Sequence, residues 1–459
     1  MRILLTAHPG TNSRDILLDV EAGFRDAGHE VIRWELEPMF AVNNGPHPPQ
    51  MRAFFNQGAG ELVRRLIDAN NIDFTMGMWA NALYAFGVSA EGGSVPRTYF
   101  NRVDIPHVMF WLDAPHWAHN TQFRQNFGAP MLREPQLLNV INNRGTAREM
   151  REMLGFGRTL AEPYGVNTEV FRPAPGVPRA HDFVINVGPG DPPPTDRMLR
   201  ELESDEPDLR AIRADLAPGA TEAMRRLATE GGIGSPAMEA LIDAWVASQL
   251  DEPGVALPER FDAMKHEHAE AIAALRTRPA VFVTMADAAR SIDQFRRAFL
   301  VTWLSSRFDV AVFGVDPLKG WPHRATMIGP VPYDAMSGVY ARGRLALNVM
   351  RWQDDVGLNL KPLEITASGV PCLCERRAGL DGLFEIGTEI ESFDSPATLA
   401  RTARVLLADE DRRVALAEAG RARTVRDHTW ARWASSVCRF VRPGVVAEAK
   451  SPAPADAAA

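Results

Sequence analysis

Cysteine is scarce in this sequence, with three residues in 459. Cys372, Cys374 and Cys438 leave one thiol over in any pairing, which excludes a disulfide-stapled scaffold and suits a reducing compartment. No apolar run reaches ~18 residues, so an integral membrane segment is not expected. The opening MRILLTAHPG is a short apolar run ending in a turn, with no cleavage site, and does not read as a signal peptide. The expected location is cytoplasmic. Basic residues are not in excess: the formal net charge is −8, and no nucleic-acid footprint is expected. What remains is ordinary globular composition, 46% hydrophobic and 24% charged, long enough for two or three domains.

The order of apolar runs points to α/β architecture. MRILLTA reads as a buried parallel strand. A helix follows, capped by Asn12 or Ser13 and carrying Ile16, Leu17, Val20, Phe24 and Ala27 on one face, and Gly28 ends it. EVIRWEL is the next strand, completing a βαβ unit. Further strands are expected at 73–79, 107–113 and 137–142. The Pro/Gly-rich, aperiodic stretch at 165–181 is the expected linker. A second α/β unit opens with DFVINVGPGDPPP at 182–194. Between about 198 and 278 the chain reads as a wholly helical insertion, and periodicity leaves AVFVTMAD (280–287) open between strand and helix. Alternation then resumes and ends in three helices. The expected organisation is an N-terminal Rossmann-like lobe over 1–170, a C-terminal lobe over 171–443 and a disordered tail over 444–459. A ligand cleft belongs between the lobes, at the carboxyl ends of both sheets.

LNLKPLEITASG (358–369) holds the clearest chemical pattern. Pro362 fits a first helical turn. A helix start presents free N–H groups and a positive dipole end, a seat for phosphate. Lys361 adds a full charge there, Arg351 lies just upstream, and Glu364 can accept from a ribose diol. Together they suit a diphosphate joined to a ribose. An i,i+3 surface ion pair between Lys361 and Glu364 is the competing reading.

Residues 328–434 resemble the C-terminal lobe of group 1 glycosyltransferases, in particular the spore-maturation CgeB-like branch. IGPVPYDAMSGVYARGRLALNVMR, KPLEITASGVPCLC and the tail ending in HTWARW carry the resemblance, and HVMFWLDAPHW and GVNTEVFRP are similar to the family's N-terminal lobe and linker. The resemblance implies a GT-B fold with two Rossmann-like, doubly wound lobes. It implies donor contacts from Glu364, Pro362, Gly357, Asn359, Gly329 and Val331. One departure stands out: the position of a second family glutamate is Val356, with Asp354 and Asp355 nearby. The contact to the transferred sugar then falls to backbone in DVGLN, to Asp355, or to neither.

Other residues offer weaker chemical patterns. Cys372 and Cys374 share one face of a strand but lack further ligands, and read as packing. His266 and His268 lack metal spacing and read as a solvated helix face. Gly188 and Gly190 lack the helix a dinucleotide fingerprint requires and read as a cleft-lining turn, with Arg197 within reach of phosphate. His8 and Gly10 end the first strand at the expected cleft. Asp113, His116 and Trp117 follow another strand and combine a carboxylate, an imidazole and an aromatic plate, as sugar recognition uses.

The expected function is glycosyl transfer from a nucleoside-diphosphate sugar, with retention and with no cofactor or metal. Arg351 and Lys361 would stabilise the leaving diphosphate, and Asp113 and His116 would contact the transferred sugar or acceptor. His8, Gly10 and Trp117 would face an acceptor that is a glycan, a protein or a small molecule. The alternatives are a nucleotide-sugar epimerase, with Asp113 as its acid–base candidate, and a non-catalytic sugar-binding protein.

Overall fold

Strand β1 (Arg2–Ala7) is an interior strand of the first sheet, and every residue after Arg2 is buried. The computed structural model describes residues 1–80, 105–115, 123–188, 192–314, 318–352 and 356–442. The first sheet is completed by β2 (Glu30–Glu35), β3 (Phe74–Met78), β4 (His107–Trp111), β5 (Leu137–Ile141) and β6 (Thr159–Ala161), in the order β2-β1-β3-β4-β5-β6. Its strands pair in parallel. Strands covered on both faces read as unbroken apolar runs, and HVMFW is such a run, buried at every residue.

Helix α1 (Thr11–Asp26) crosses from β1 to β2, with Ile16, Leu17, Val20 and Phe24 buried. It starts earlier than the capping residues suggested, with Gly10 at the cap position and no side-chain cap. Helices α2 (Glu37–Asn44) and α3 (Pro49–Asn70) precede β3, and α4 (Arg144–Glu152) follows β5.

The chain leaves β6 at Ala161 and enters the second sheet at β7 (His181–Asn186). This sheet adds β8 (Val310–Phe313), β9 (Thr326–Gly329), β10 (Gly343–Asn348), β11 (Cys372–Glu375) and β12 (Glu391–Phe393), in the order β12-β11-β10-β7-β8-β9. It too is parallel. Two parallel sheets flanked by helices make this a GT-B fold.

The segment between β7 and β8 is helical throughout its described part. It comprises α5 (Asp196–Leu202), α6 (Leu209–Glu230), α7 (Pro236–Asp251), α8 (Leu257–Met264), α9 (Ala269–Arg276), α10 (Pro279–Arg290) and α11 (Arg296–Ser305). AVFVTMAD therefore lies inside helix α10, where Phe282, Val283, Met285 and Ala286 are buried. His266 and His268 sit in the turn between α8 and α9, not on a helix face.

The helical insertion runs past the expected 278 to Ser305 and does not rest on the second lobe alone. Arg290 meets Glu149 of α4 at 2.8 Å, both nearly inaccessible, and Arg124 meets Asp287 at 3.0 Å. Arg148 of α4 also reaches Asp262 at 2.6 Å. The helical segment thus bridges the two lobes.

Among the described residues, the remaining α-helices are α12 (Met336–Tyr340), α13 (Lys361–Ala367), α14 (Pro396–Ala408), α15 (Glu410–Asp427) and α16 (Trp430–Val441). Helix α16 returns to the first lobe: Trp433 packs edge-on against Phe110 at 5.0 Å and near Phe24 at 6.1 Å. The HTW tripeptide starts this return. His428 Nε2 lies 3.0 Å from the Leu383 carbonyl, the Thr429 side chain caps α16, and Trp430 is buried. One apolar cluster runs through the first lobe, the insertion and one face of the second sheet, while the other face packs on α11 and α14.

Candidate functional site

Glu364 lies in the first turn of α13, and its side chain is only 1% exposed. Helix α13 connects β10 to β11, so its start lies at the carboxyl edge of the second sheet. The Lys361 ammonium stands 3.0 Å from Oε2 of Glu364 and keeps 28% of its side chain in solvent. From below, the Tyr340 hydroxyl donates to the same oxygen at 3.0 Å. Burial first, and then the charge of Glu364, push the Tyr340 hydroxyl far above its usual range, so it remains a donor. The i,i+3 pair exists, but it is not a surface pair.

The helix start differs from the expected phosphate seat. Its amides are engaged: Lys361 N donates to Asn359 Oδ1 at 3.0 Å, and Leu363 and Glu364 both donate to the Leu360 carbonyl. Pro362 has no N–H to offer. Side chains, not helix amides, carry the positive charge here.

Arg351 approaches the end of β7. A Cβ added to Gly188 would lie 3.1 Å from its guanidinium, so a side chain at 188 would crowd it. Arg297 of α11 donates to the Gly188 carbonyl at 2.8 Å. Two guanidinium groups thus flank the turn after β7. Arg197, the candidate just beyond that turn, is engaged elsewhere, with Asp215 at 2.9 Å and Glu201 at 3.8 Å.

Gly357 and Asn359 sit where the lobes touch. Asn142, just past β5, donates to the Leu358 carbonyl at 2.6 Å. A Cβ on Gly357 would fall 2.5 Å from Asn143 Nδ2, so glycine is what permits this approach. Asn142, Asn143, Tyr164, Gly357, Asn359 and Leu363 help line an inter-lobe cavity of about 40 Å³. Val356, at the position of the second family glutamate, is half-buried, and its carbonyl accepts from Gly379.

Gly329 closes the edge strand β9 with φ +84°. The chain then returns through Val331, packed on the main core, to Tyr333. Burial, and next the charge of Glu364, raise the Tyr333 hydroxyl far above its usual range, and it donates to Asp19 at 2.6 Å.

On the first lobe, His8 follows β1. Its Nδ1 lies 3.0 Å from Gly10 N, and its ring meets Phe40 and Trp79 edge-on at 5.2 and 5.4 Å. Asp113 is half-buried just beyond β4, which lies two strands over from β1. His116 and Trp117 lie outside the described residues, as do Gly190, Asp354 and Asp355. Cys372 and Cys374 are buried strand residues, with both thiols pushed up by burial, Cys374 to about 12. Among the described residues, no group of three His, Cys, Asp or Glu is placed to hold a metal ion. Arg296, Arg297 and Tyr340 were missed in the sequence. The signal was there for the arginines, which open the otherwise apolar FRRAFLVTWL.

Residues 296–439 match the family model described as glycosyl transferase-like. No curated protein matches the chain. Among solved structures, the DNA-modifying enzyme beta-glucosyltransferase aligns with TM-score 0.50 and 9% identity over 96% of this chain and 99% of its own. Sucrose-phosphate synthase from Thermosynechococcus elongatus aligns with TM-score 0.49 and 12% identity, over 96% of this chain and 98% of that one. Anabaena Alr3699/HepE in complex with UDP-glucose aligns with TM-score 0.48 and 12% identity, over 95% and 99%. Among the described residues, no helix is long and apolar enough to cross a membrane. Residues 296–439, from α11 to α16 of the second lobe, are thus similar to that family, within a chain whose two sheets have the GT-B arrangement.

Proposed function

We propose that the chain moves a glycosyl group from a nucleoside-diphosphate sugar, held by the C-terminal lobe, to an acceptor on the N-terminal lobe. The observation that carries this reading is the buried Glu364 carboxylate under the half-open Lys361 ammonium. A bound donor exchanges that pair for two new ones: Glu364 accepts from the ribose diol, and Lys361 turns to the diphosphate. Pro362, Gly357 and Asn359 shape the same side, and Gly329 and Val331 lie along the loop returning to it. Arg351 supplies a second cation for the leaving diphosphate. Fixed cations aimed at developing charge lower the barrier without a divalent ion. Asp113 and His116 are assigned to the transferred sugar or the acceptor, and His8, Gly10 and Trp117 to the acceptor. Three free, buried thiols fit a cytoplasmic setting.

The test is nucleoside-diphosphate release from a panel of nucleotide sugars, with and without EDTA. Uridine diphosphoglucose, the substrate named for the DNA-modifying enzyme above, is the first donor to try. Release that persists in EDTA, with a product retaining the donor's anomeric configuration by NMR, is expected. Sugar interconversion without release would instead identify an epimerase, and absence of binding a non-catalytic protein.

A further inference from the structure

The ladder of β10 ends at Asn348, which pairs with Cys374. Two residues on, Met350 is fully buried, and both of its backbone groups are taken by charged side chains. Its N–H donates to Glu375 Oε2 at 2.8 Å, and its carbonyl accepts from Arg296 at 3.3 Å. Glu375 and Arg296 also pair directly, Arg377 adds a contact to Glu375 at 3.2 Å, and Asp293 meets Arg296 at 3.1 Å. All four charged residues are buried. Such an interior ion network is poor evidence of added stability, because desolvation offsets most of the attraction. What it fixes is the main chain immediately ahead of Arg351.

The neighbouring arginine completes the arrangement. Arg296 holds the carbonyl of Met350 at the end of β10, while Arg297 holds that of Gly188 at the end of β7. Consecutive residues of α11 therefore set the spacing between the two backbone segments that Arg351 spans. We propose that Glu375 and Arg296 are positioning residues for glycosyl transfer, fixing Met350 so that Arg351 is aimed at the donor's diphosphate. This rests on the donor reading given above.

A double-mutant cycle tests it. Affinities of the parent and of Glu375→Gln, Arg351→Ala and the double variant are measured for uridine, adenosine and guanosine diphosphates and for the corresponding nucleosides. Glu375→Gln is expected to weaken diphosphate binding about tenfold, leave nucleoside binding unchanged, and add nothing once Arg351 is gone. A merely structural role would weaken both ligand types and persist in the Arg351→Ala background. Arg296→Lys keeps the buried charge but loses the reach to the Met350 carbonyl, and gives the same coupling pattern where Glu375→Gln does not fold. If the parent binds no nucleoside diphosphate, the donor reading itself fails. If the parent binds and the losses multiply independently, only the positioning role is overturned.

Discussion

The Tyr333 hydroxyl lies 2.6 Å from the Asp19 carboxylate, and this hydrogen bond joins the two lobes through the interior. Asp19 belongs to α1 and is buried, and Asn167, between the two sheets, donates to its other oxygen at 2.7 Å. Burial raises the carboxyl of Asp19, and the hydrogen bonds from Tyr333 and Asn167 oppose that rise. Replacing Tyr333 by Phe removes one donor from a buried acceptor, and roughly 1–3 kcal/mol should be lost in urea unfolding at pH 7.

The sign of the pH dependence follows. A carboxyl raised in the folded state favours folding when protonated. That contribution is present below the unfolded value of about 4 and is lost as pH rises through the folded one. Tyr333→Phe raises the folded value further, so its deficit should be greatest at neutral pH and shrink towards pH 4. A deficit constant between pH 4 and 7 would show that Asp19 is not the group responsible.

A buried histidine gives the opposite slope. His107 ends up fully enclosed, with Nδ1 2.8 Å from the Thr75 hydroxyl, and burial lowers its pKa to about 3. Its contribution to stability is whole above the unfolded value of about 6.5 and lost as pH falls towards the folded one. That amounts to ~4 kcal/mol by pH 3. Guanidinium midpoints should fall across this window, and His107→Gln should flatten the slope. His428 is lowered by burial as well and leaves part of the slope in place.

Much of the fold was legible because parallel strands buried on both faces leave apolar runs: LLNVI and HVMFW needed no partner to be recognised. AVFVTMAD was not, because a helix packed on several sides leaves the same run as a strand. The docking of the insertion was hidden for another reason. Glu149 and Arg290 are 141 residues apart, and each alone looks like a solvated charge. At the site, spacing revealed that Lys361 and Glu364 meet. It could not reveal burial, which depends on Tyr340 arriving from α12.

The Glu149–Arg290 pair supports a direct test of the bridge between insertion and first lobe. Both groups are at most 3% exposed, so Glu149→Ala strands a guanidinium in the interior. Removing one partner of such a pair costs about 3–5 kcal/mol, while replacing both by apolar residues is often neutral. Glu149→Ala should therefore lower the denaturant midpoint sharply, and Glu149→Leu combined with Arg290→Met should restore most of it. Equal losses in the single and double variants would mean that packing around α10, not the charge pair, holds the insertion.

Substitutions at Lys361 and Glu364 separate stability from donor binding. Glu364→Gln still accepts from the Tyr340 hydroxyl through its amide oxygen but removes the charge that would grip a ribose diol. Charge-assisted hydrogen bonds are worth roughly 1.5–3 kcal/mol, so nucleoside-diphosphate affinity should fall on the order of tenfold to a hundredfold. Lys361→Ala leaves a nearly inaccessible carboxylate with Tyr340 at 3.0 Å. It should destabilise the fold by about 1–3 kcal/mol, discounted from the fully buried case because the lysine is partly in solvent. A surface pair would lose only tenths of a kcal/mol. Lys361→Ala should also slow turnover more than it weakens ground-state binding, since its charge matters most as the diphosphate departs. Isothermal titration, urea unfolding and single-turnover rates read the three quantities apart. Parent-like nucleoside-diphosphate affinity in both variants would remove Glu364 and Lys361 from the donor site and leave them a buried structural pair.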